Sequence, residues 1–245
     1  MSQTFEPIRD SPLTYSTATS TKCEIRSRIE QVGVVPTIRA RSAKDAVYAA
    51  ETLVAAGIPA VEISMTVPGA LDVVAHLAKH GSEIIVGAGG LHDTDTALRC
   101  LDAGAKFLVG DALVPRLLAL AAEQDAVAVQ TAMTPTEIIT ALRAGADFVK
   151  AFPCDALGGH RYMRTLKSTF PDLPIIAAGG VTQQTAFDFV AAGATALDPG
   201  EDLVPQDAIE WRQSARIGEL ARRFLSSVRN GRISAESLSS YSIPA

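Results

Sequence analysis

The chain is poor in the features that would make it a secreted, membrane or nucleic-acid-binding protein. Its three cysteines, Cys23, Cys100 and Cys154, lie far apart and in no Cys-x-x-Cys spacing. That argues against a disulfide frame or a zinc site and fits free thiols in a reducing compartment. No run of about 18 apolar residues occurs, so no transmembrane span is expected. Residues 1–21 are rich in Ser and Thr and lack an apolar segment, which argues against a signal peptide and for a disordered arm. Basic residues form no block: 22 Lys and Arg are interspersed among 27 Asp and Glu, which leaves no footprint for nucleic acid or an anionic membrane surface. The expectation is a cytoplasmic protein whose partner is a small molecule, with no nucleic acid and no membrane.

What the chain does have is a repeating alternation. Strand-like runs at residues 34–38, 60–65, 84–89, 107–111, 126–131, 148–152, 174–178 and 194–197 alternate with helical patterns. A short amphipathic helix over residues 23–31 comes first, and a long one over about 207–228 comes last. Thr134-Pro135-Thr136-Glu137 reads as an N-cap, an N1 proline and an N3 acid. Ala-Gly-Ile or Ala-Gly-Ala at 56–58, 103–105, 144–146 and 192–194 falls each time between a helix end and the next strand, where glycine supplies the positive φ. Eight βα units in 245 residues predict an α/β fold, a single-domain (β/α)8 TIM barrel over residues 22–231. A loose Ser-rich tail is expected over 232–245. A doubly wound open sheet is the competing fold, but it usually has fewer strands and a clearer switch point.

The stretch Asp147-Phe148-Val149-Lys150-Ala151-Phe152-Pro153 sets an ammonium inside an apolar strand. Alternation puts Phe148, Lys150 and Phe152 on one face. Lys150 is read either as a strand-end lysine snorkelling to water or as a desolvated amine of depressed pKa, able to attack a carbonyl and form a Schiff base. Glu62 is likewise an acid inside a strand, in Ala-Val-Glu-Ile-Ser-Met. In a barrel both belong to the C-terminal mouth, where the active site lies. Arg39, Asp111, Gln130, Thr131 and Asp202 fall at strand ends too. His76 and His80 are one helical turn apart on an expected solvated face and are not read as metal ligands.

Several motifs then occur in a familiar order: Ala-Val-Glu-Ile at 60–63, Val-Gly-Ala-Gly at 86–89, Ala-Gly-Ala-Asp-Phe-Val-Lys-Ala-Phe-Pro at 144–153, Ala-Gly-Gly-Val-Thr at 178–182 and Asp-Leu-Val-Pro at 202–205. The run from 34 to 205 resembles the KDPG/KHG aldolase family. The resemblance implies a metal-free, cofactor-free class I aldolase, usually a homotrimer, that cleaves a 2-keto-3-deoxy sugar acid or 4-hydroxy-2-oxoglutarate to pyruvate and an aldehyde. It implies Lys150 as the Schiff-base lysine and Glu62 as the proton shuttle. It places Arg39, Thr66, Gly89, Gly90 and Phe152 around the pyruvyl end, and Gly179, Gly180, Gly200 and Glu201 around the far end of the substrate.

The chain departs from the family pattern at four places. Thr66 stands where the phosphogluconate branch has a carboxylate-binding Arg, and Gly90 where Thr follows Gly-Ala-Gly. Arg39 is expected to compensate, as in the phosphogalactonate branch. Gly110-Asp111 replaces a Ser-Pro or Thr-Pro, and Glu201 replaces the Ser that helps hold phosphate. A carboxylate there repels a phosphate dianion, so the expectation is an unphosphorylated tail or drifted specificity. Other readings kept are a related lyase or decarboxylase acting on another keto acid, a non-catalytic barrel that binds a small carboxylate, and an isomerase of the epimerase type.

Overall fold

The computed structural model describes residues 21–240, so the arm expected at the N-terminus lies outside the described residues except for Thr21. Eight parallel strands follow one another around a single sheet. They are β1 (Thr37–Ile38), β2 (Ala60–Ser64), β3 (Ile85–Leu91), β4 (Phe107–Gly110), β5 (Val127–Ala132), β6 (Phe148–Ala151), β7 (Ile175–Ala178) and β8 (Ala196–Asp198). The sheet turns back on itself where Val34 pairs with Leu197. There Val35 N–H donates to the Leu197 carbonyl at 2.8 Å, and Leu197 N–H to the Gly33 carbonyl at 3.0 Å. The result is a nearly closed (β/α)8 barrel. The first strand is shorter than its β-branched sequence suggests, because Pro36 lacks the N–H a ladder needs.

The helices are α1 (Thr21–Val32), α2 (Ala43–Ala55), α3 (Ala70–Ala78), α4 (Thr94–Asp102), α5 (Pro115–Glu123), α6 (Pro135–Arg143), α7 (His160–Thr169), α8 (Ala186–Ala191), α9 (Gln206–Glu210) and α10 (Ser214–Ser240). Their starts are encoded locally. The Ser42 and Asp93 side chains accept from the N–H groups of Asp45 and Thr96, and Thr134 with Glu137 forms the full capping box. The four glycines of the internal echo, Gly57, Gly104, Gly145 and Gly193, have φ of 93°, 105°, 103° and 102°. Helices therefore stop where the strand register needs them to.

Two apolar layers result. The outer one lies between sheet and helices. The inner one fills the lower barrel with Phe107, Val127, Val129, Phe148, Ile176 and their neighbours, and Ile25 and Ile29 of α1 close it from beneath. Lys22 pairs with Asp147 at 2.8 Å, at the start of β6, and Arg26 lies 5.6 Å from the Phe148 ring centroid. The N-terminal end of the barrel is thereby stoppered, and only the opposite end is open.

The C-terminal region departs from expectation twice. The long last helix is two: α9 stops at Glu210, Trp211 and Arg212 (the latter at φ 52°) break the chain's helical path, and α10 begins at Ser214. Residues 232–240 of the expected loose tail are helical, since α10 continues to Ser240, and residues 241–245 lie outside the described residues. Gly231 packs so closely on Val190 that a Cβ would come within 2.7 Å of it. Arg232 donates to the carbonyls of Gln31, at 2.7 Å, and Glu30 at the end of α1. A Ser-rich composition did not reveal that anchoring. Ile217 is fully buried on the barrel's flank, whereas Trp211 is 67% exposed. No helix among the described residues is long and apolar enough to cross a membrane.

Gly87 is a sensitive point of this packing, because a Cβ there would lie 2.3 Å from the Phe107 ring in the barrel interior. Gly87→Ala is expected to cost about 1–3 kcal/mol through overpacking, read as a lowered urea midpoint with an unchanged m-value.

Candidate active site

Lys150 lies on β6, opposite Thr131 of β5 and Ile176 of β7, with its side chain inside the barrel. It is 7% exposed. Its Nζ contacts Glu62 Oε2 at 2.5 Å, Asp198 Oδ2 at 2.8 Å and Thr37 Oγ1 at 3.1 Å. Three strands, β1, β2 and β8, thus aim one side chain each at the nitrogen that β6 supplies. Glu62, on β2, is 3% exposed and has its room because β3 carries glycine: a Cβ at Gly89 would stand 1.9 Å from Glu62 Oε1. The snorkelling alternative for Lys150 does not hold.

Asp198 ends β8 and is held on all sides. Its Oδ1 accepts from the N–H groups of Thr37 at 2.9 Å and Gly200 at 3.2 Å, and its Oδ2 from the Thr37 hydroxyl at 2.6 Å as well as from Lys150. The turn after β8, with Gly200 at φ 51°, aims the Gly200 N–H back at the carboxylate.

These surroundings separate the three ionisable groups. Burial alone lowers the pKa of Lys150, but Asp198 and then Glu62 more than reverse that and hold the ammonium well above the ordinary lysine range. The expected depressed pKa is therefore corrected: the resting amine is a paired cation. Burial raises both carboxylates. For Asp198 the Lys150 charge and its hydrogen bonds outweigh burial and bring it below the ordinary range. For Glu62 burial wins and its pKa is raised. Of the two acids, Glu62 is the one that takes up a proton more readily.

Above the nitrogen opens a cavity of about 380 Å³, lined by Arg39, Glu62, Asp111, Thr131, Lys150, Phe152, Gly179, Gly180, Val181, Asp198, Pro199, Gly200 and Asp202 among others. It brings together six of the residues read from the sequence beside Glu62: Lys150, Arg39, Phe152, Gly179, Gly180 and Gly200. Phe152 stands at the rim, 49% exposed. Gly89 is absent from the lining and acts by making room for Glu62. Thr66 and Gly90 also lie off the lining; Thr66 is exposed and its hydroxyl is 2.8 Å from that of Ser64. Glu201 faces a neighbouring depression with Gln183, Gln184, Asp202 and Arg216. Asp202, unlike Glu201, also lines the main cavity, and its pKa is raised by burial and then by Glu201.

Sequence reasoning missed Asp198 and Thr37 as members of this cluster. The signal for Asp198 was an acid closing a short apolar strand, akin to the acid inside a strand that singled out Glu62. Gln130 is fully buried but structural: its Oε1 accepts from Val114 N–H at 2.9 Å. Cys154, near the site in sequence, is no competing nucleophile, since burial pushes its thiol up to about 11. His76 and His80 are exposed as expected, with Glu51 of α2 placed 3.5 Å and 3.8 Å from their Nε2 atoms.

A parallel barrel with a buried lysine, a pair of carboxylates and an open cavity at its C-terminal mouth belongs with the barrel carbon–carbon lyases. The family model for KDPG and KHG aldolase matches residues 25–220, and the chain belongs to that family. It is 30% identical over 189 residues to the KHG/KDPG aldolase of Escherichia coli strain K12, across 77% of this chain and 89% of that one. The native KDPGal structure matches with a TM-score of 0.73 at 25% identity, covering 81% of this chain and 95% of that chain. KDPG aldolase from Legionella pneumophila, solved with pyruvate captured at low pH as a covalent carbinolamine intermediate, shares the fold at a TM-score of 0.73 and 22% identity, covering 83% and 97%.

Removing the cation tests the ion cluster. Lys150→Met strands two buried carboxylates, and breaking such a pair costs about 3–5 kcal/mol. With both acids then raised above their unfolded values, folding binds protons, so the variant is expected to lose stability as pH rises from 5 to 8. Denaturation midpoints across that range, compared with those of the unmodified chain, check this.

Proposed function

We propose that this chain cleaves a 2-keto-3-deoxy sugar acid or 4-hydroxy-2-oxoglutarate to pyruvate and an aldehyde through an imine on Lys150. The observation that carries the reading is the 2.5 Å contact between the Lys150 nitrogen and Glu62, a carboxylate of raised pKa. The ammonium passes a proton to Glu62, and the freed lone pair attacks the C2 ketone. The new oxyanion takes that proton back to give a carbinolamine. A second proton relayed from nitrogen through Glu62 releases the hydroxyl as water, leaving the iminium. The iminium accepts the electron pair of the C3–C4 bond as it breaks, while Glu62 takes the proton of the C4 hydroxyl. Returning a proton to C3 of the enamine restores the iminium, and water then frees pyruvate and the lysine. Arg39, at the rim, is the guanidinium available to grip the keto acid's carboxylate with paired hydrogen bonds.

The substrate's far end is proposed to carry no phosphate. Asp111, Asp198 and Asp202 line the cavity with Arg39 and Lys150 as its cations. A carboxylate about 4 Å from a single negative charge costs on the order of 1–4 kcal/mol at aqueous to surface-like dielectric. Gly179 and Gly180 add no side chain of their own to the cavity lining, which suits a hydroxylated tail. A homotrimer in the cytoplasm is the assembly and location proposed, from the family resemblance and the widely spaced cysteines.

One observation favours a second reading, a barrel that binds a small carboxylate without chemistry: the resting Lys150 is a paired ammonium. Borohydride with pyruvate separates the two. An adduct on Lys150, lost in Lys150→Met, is expected for the aldolase, and absence of an adduct favours the binder. In a pyruvate-release assay, kcat/KM for an unphosphorylated 2-keto-3-deoxy acid is expected to exceed that for its phosphorylated counterpart by about tenfold or more. Equal rates would overturn the charge argument.

A further inference from the structure

We propose that Asp198 is a catalytic residue, the fixed counter-ion of the Lys150 nitrogen from ammonium to iminium, and that this frees Glu62 to act as the proton carrier. This deepens the imine reading above and rests on it.

The geometry assigns the two carboxylates different jobs. Besides Lys150, Asp198 accepts two backbone N–H groups and a hydroxyl, at 2.9, 3.2 and 2.6 Å. A carboxylate held by that many donors stays ionised and stays put. Glu62 has no backbone donor to its carboxylate among the described residues, and it sits in the space left by Gly89. It is also the acid that burial raises. One acid is anchored and charged, whereas the other is less tethered and closer to changing protonation state.

The balance of the reaction explains why an anchored charge belongs there. An ammonium and a ketone give an iminium and water: three N–H protons become one on nitrogen and two on water, and the single positive charge persists. A counter-ion matched to the first state is matched to the last, without moving. Inside the barrel, where a lone cation is costly, that charge keeps the iminium protonated and therefore able to accept electrons. The neutral enamine lacks that match, so Asp198 favours its reprotonation at C3 and the release of pyruvate.

The charged groups that face the nitrogen are Glu62 from β2 and Asp198 from β8, while Thr37 of β1 presents a neutral hydroxyl. Arg39, Asp111 and Asp202 line the same cavity but form no ion pair with Lys150. The rival role for Asp198 is a structural clip across the seam between β1 and β8. A clip predicts lost stability with no change in how the imine titrates.

The test is borohydride trapping of the pyruvate imine on the full-length chain between pH 5 and pH 10, read as the mass of the Lys150 peptide, with thermal unfolding in parallel. Asp198→Asn is expected to lower the alkaline limit of trapping by about 1–3 pH units, the effect of removing an opposite charge at this range. Thr37→Val, which keeps the charge but loosens it, is expected to lower the limit by less. Glu62→Gln is expected to slow adduct formation and to lower the limit by less than Asp198→Asn does, since Glu62 is the lesser of the two contributors that raise the Lys150 nitrogen. Should Asp198→Asn fail to fold, the Thr37→Val shift carries the result by itself. The proposal is overturned if neither variant moves the limit, or if Glu62→Gln reproduces the shift. No adduct in the unmodified chain would instead overturn the imine reading itself, a distinct outcome.

Discussion

The lysine–carboxylate cluster at the barrel mouth is the constraint to which the rest of the structure answers. A buried ion pair recovers its desolvation cost only when its geometry is good and its remaining hydrogen-bonding capacity is filled. Here the capacity is filled from four different strands, so the cluster exists only if the barrel closes with the right register. Thr37 pairs with Glu62 across β1 and β2, and Ala178 with Asp198 across β7 and β8. A one-residue slip in either pairing would turn a member of the cluster into the outer apolar layer.

The seam between β1 and β8 shows how closely architecture and site are joined. Pro36 interrupts the first strand's ladder, and the next N–H, that of Thr37, donates to the Asp198 side chain instead of to a β8 carbonyl. Pro36 still serves the other neighbour, its carbonyl accepting from Glu62 N–H at 3.0 Å. A defect in strand pairing has thus become the mounting for one acid while the backbone of the other is held in the ladder.

Much of the fold could be read from local sequence because its signals are local. Caps at Ser42, Asp93 and Thr134 and the repeated glycines between helix and strand mark the βα units without tertiary information. The partnership of Glu62 and Lys150 was also legible, since charges inside apolar strands are rare enough to demand a reason. What could not be read depended on contacts across the barrel. Asp198 lies 48 residues beyond Lys150, and its role emerges only when β8 faces β1. The charge state of Lys150 followed from that omission, for burial alone lowers an amine's pKa whereas Asp198 and Glu62 together more than reverse that. Arg232 was missed for a related reason: its partners are carbonyls some 200 residues earlier.

The stopper formed by α1 has a kinetic consequence. With the lower end filled by Ile25, Ile29 and the inner aromatic layer, the reacting nitrogen sits at the foot of a blind shaft. On the imine reading, the three-carbon fragment remains tethered at the bottom while the aldehyde lies toward the entrance, so departure is sequential: aldehyde first, pyruvate second. Run backwards, the same shaft requires the keto acid to enter before its electrophile, and an aldehyde arriving early would block the way.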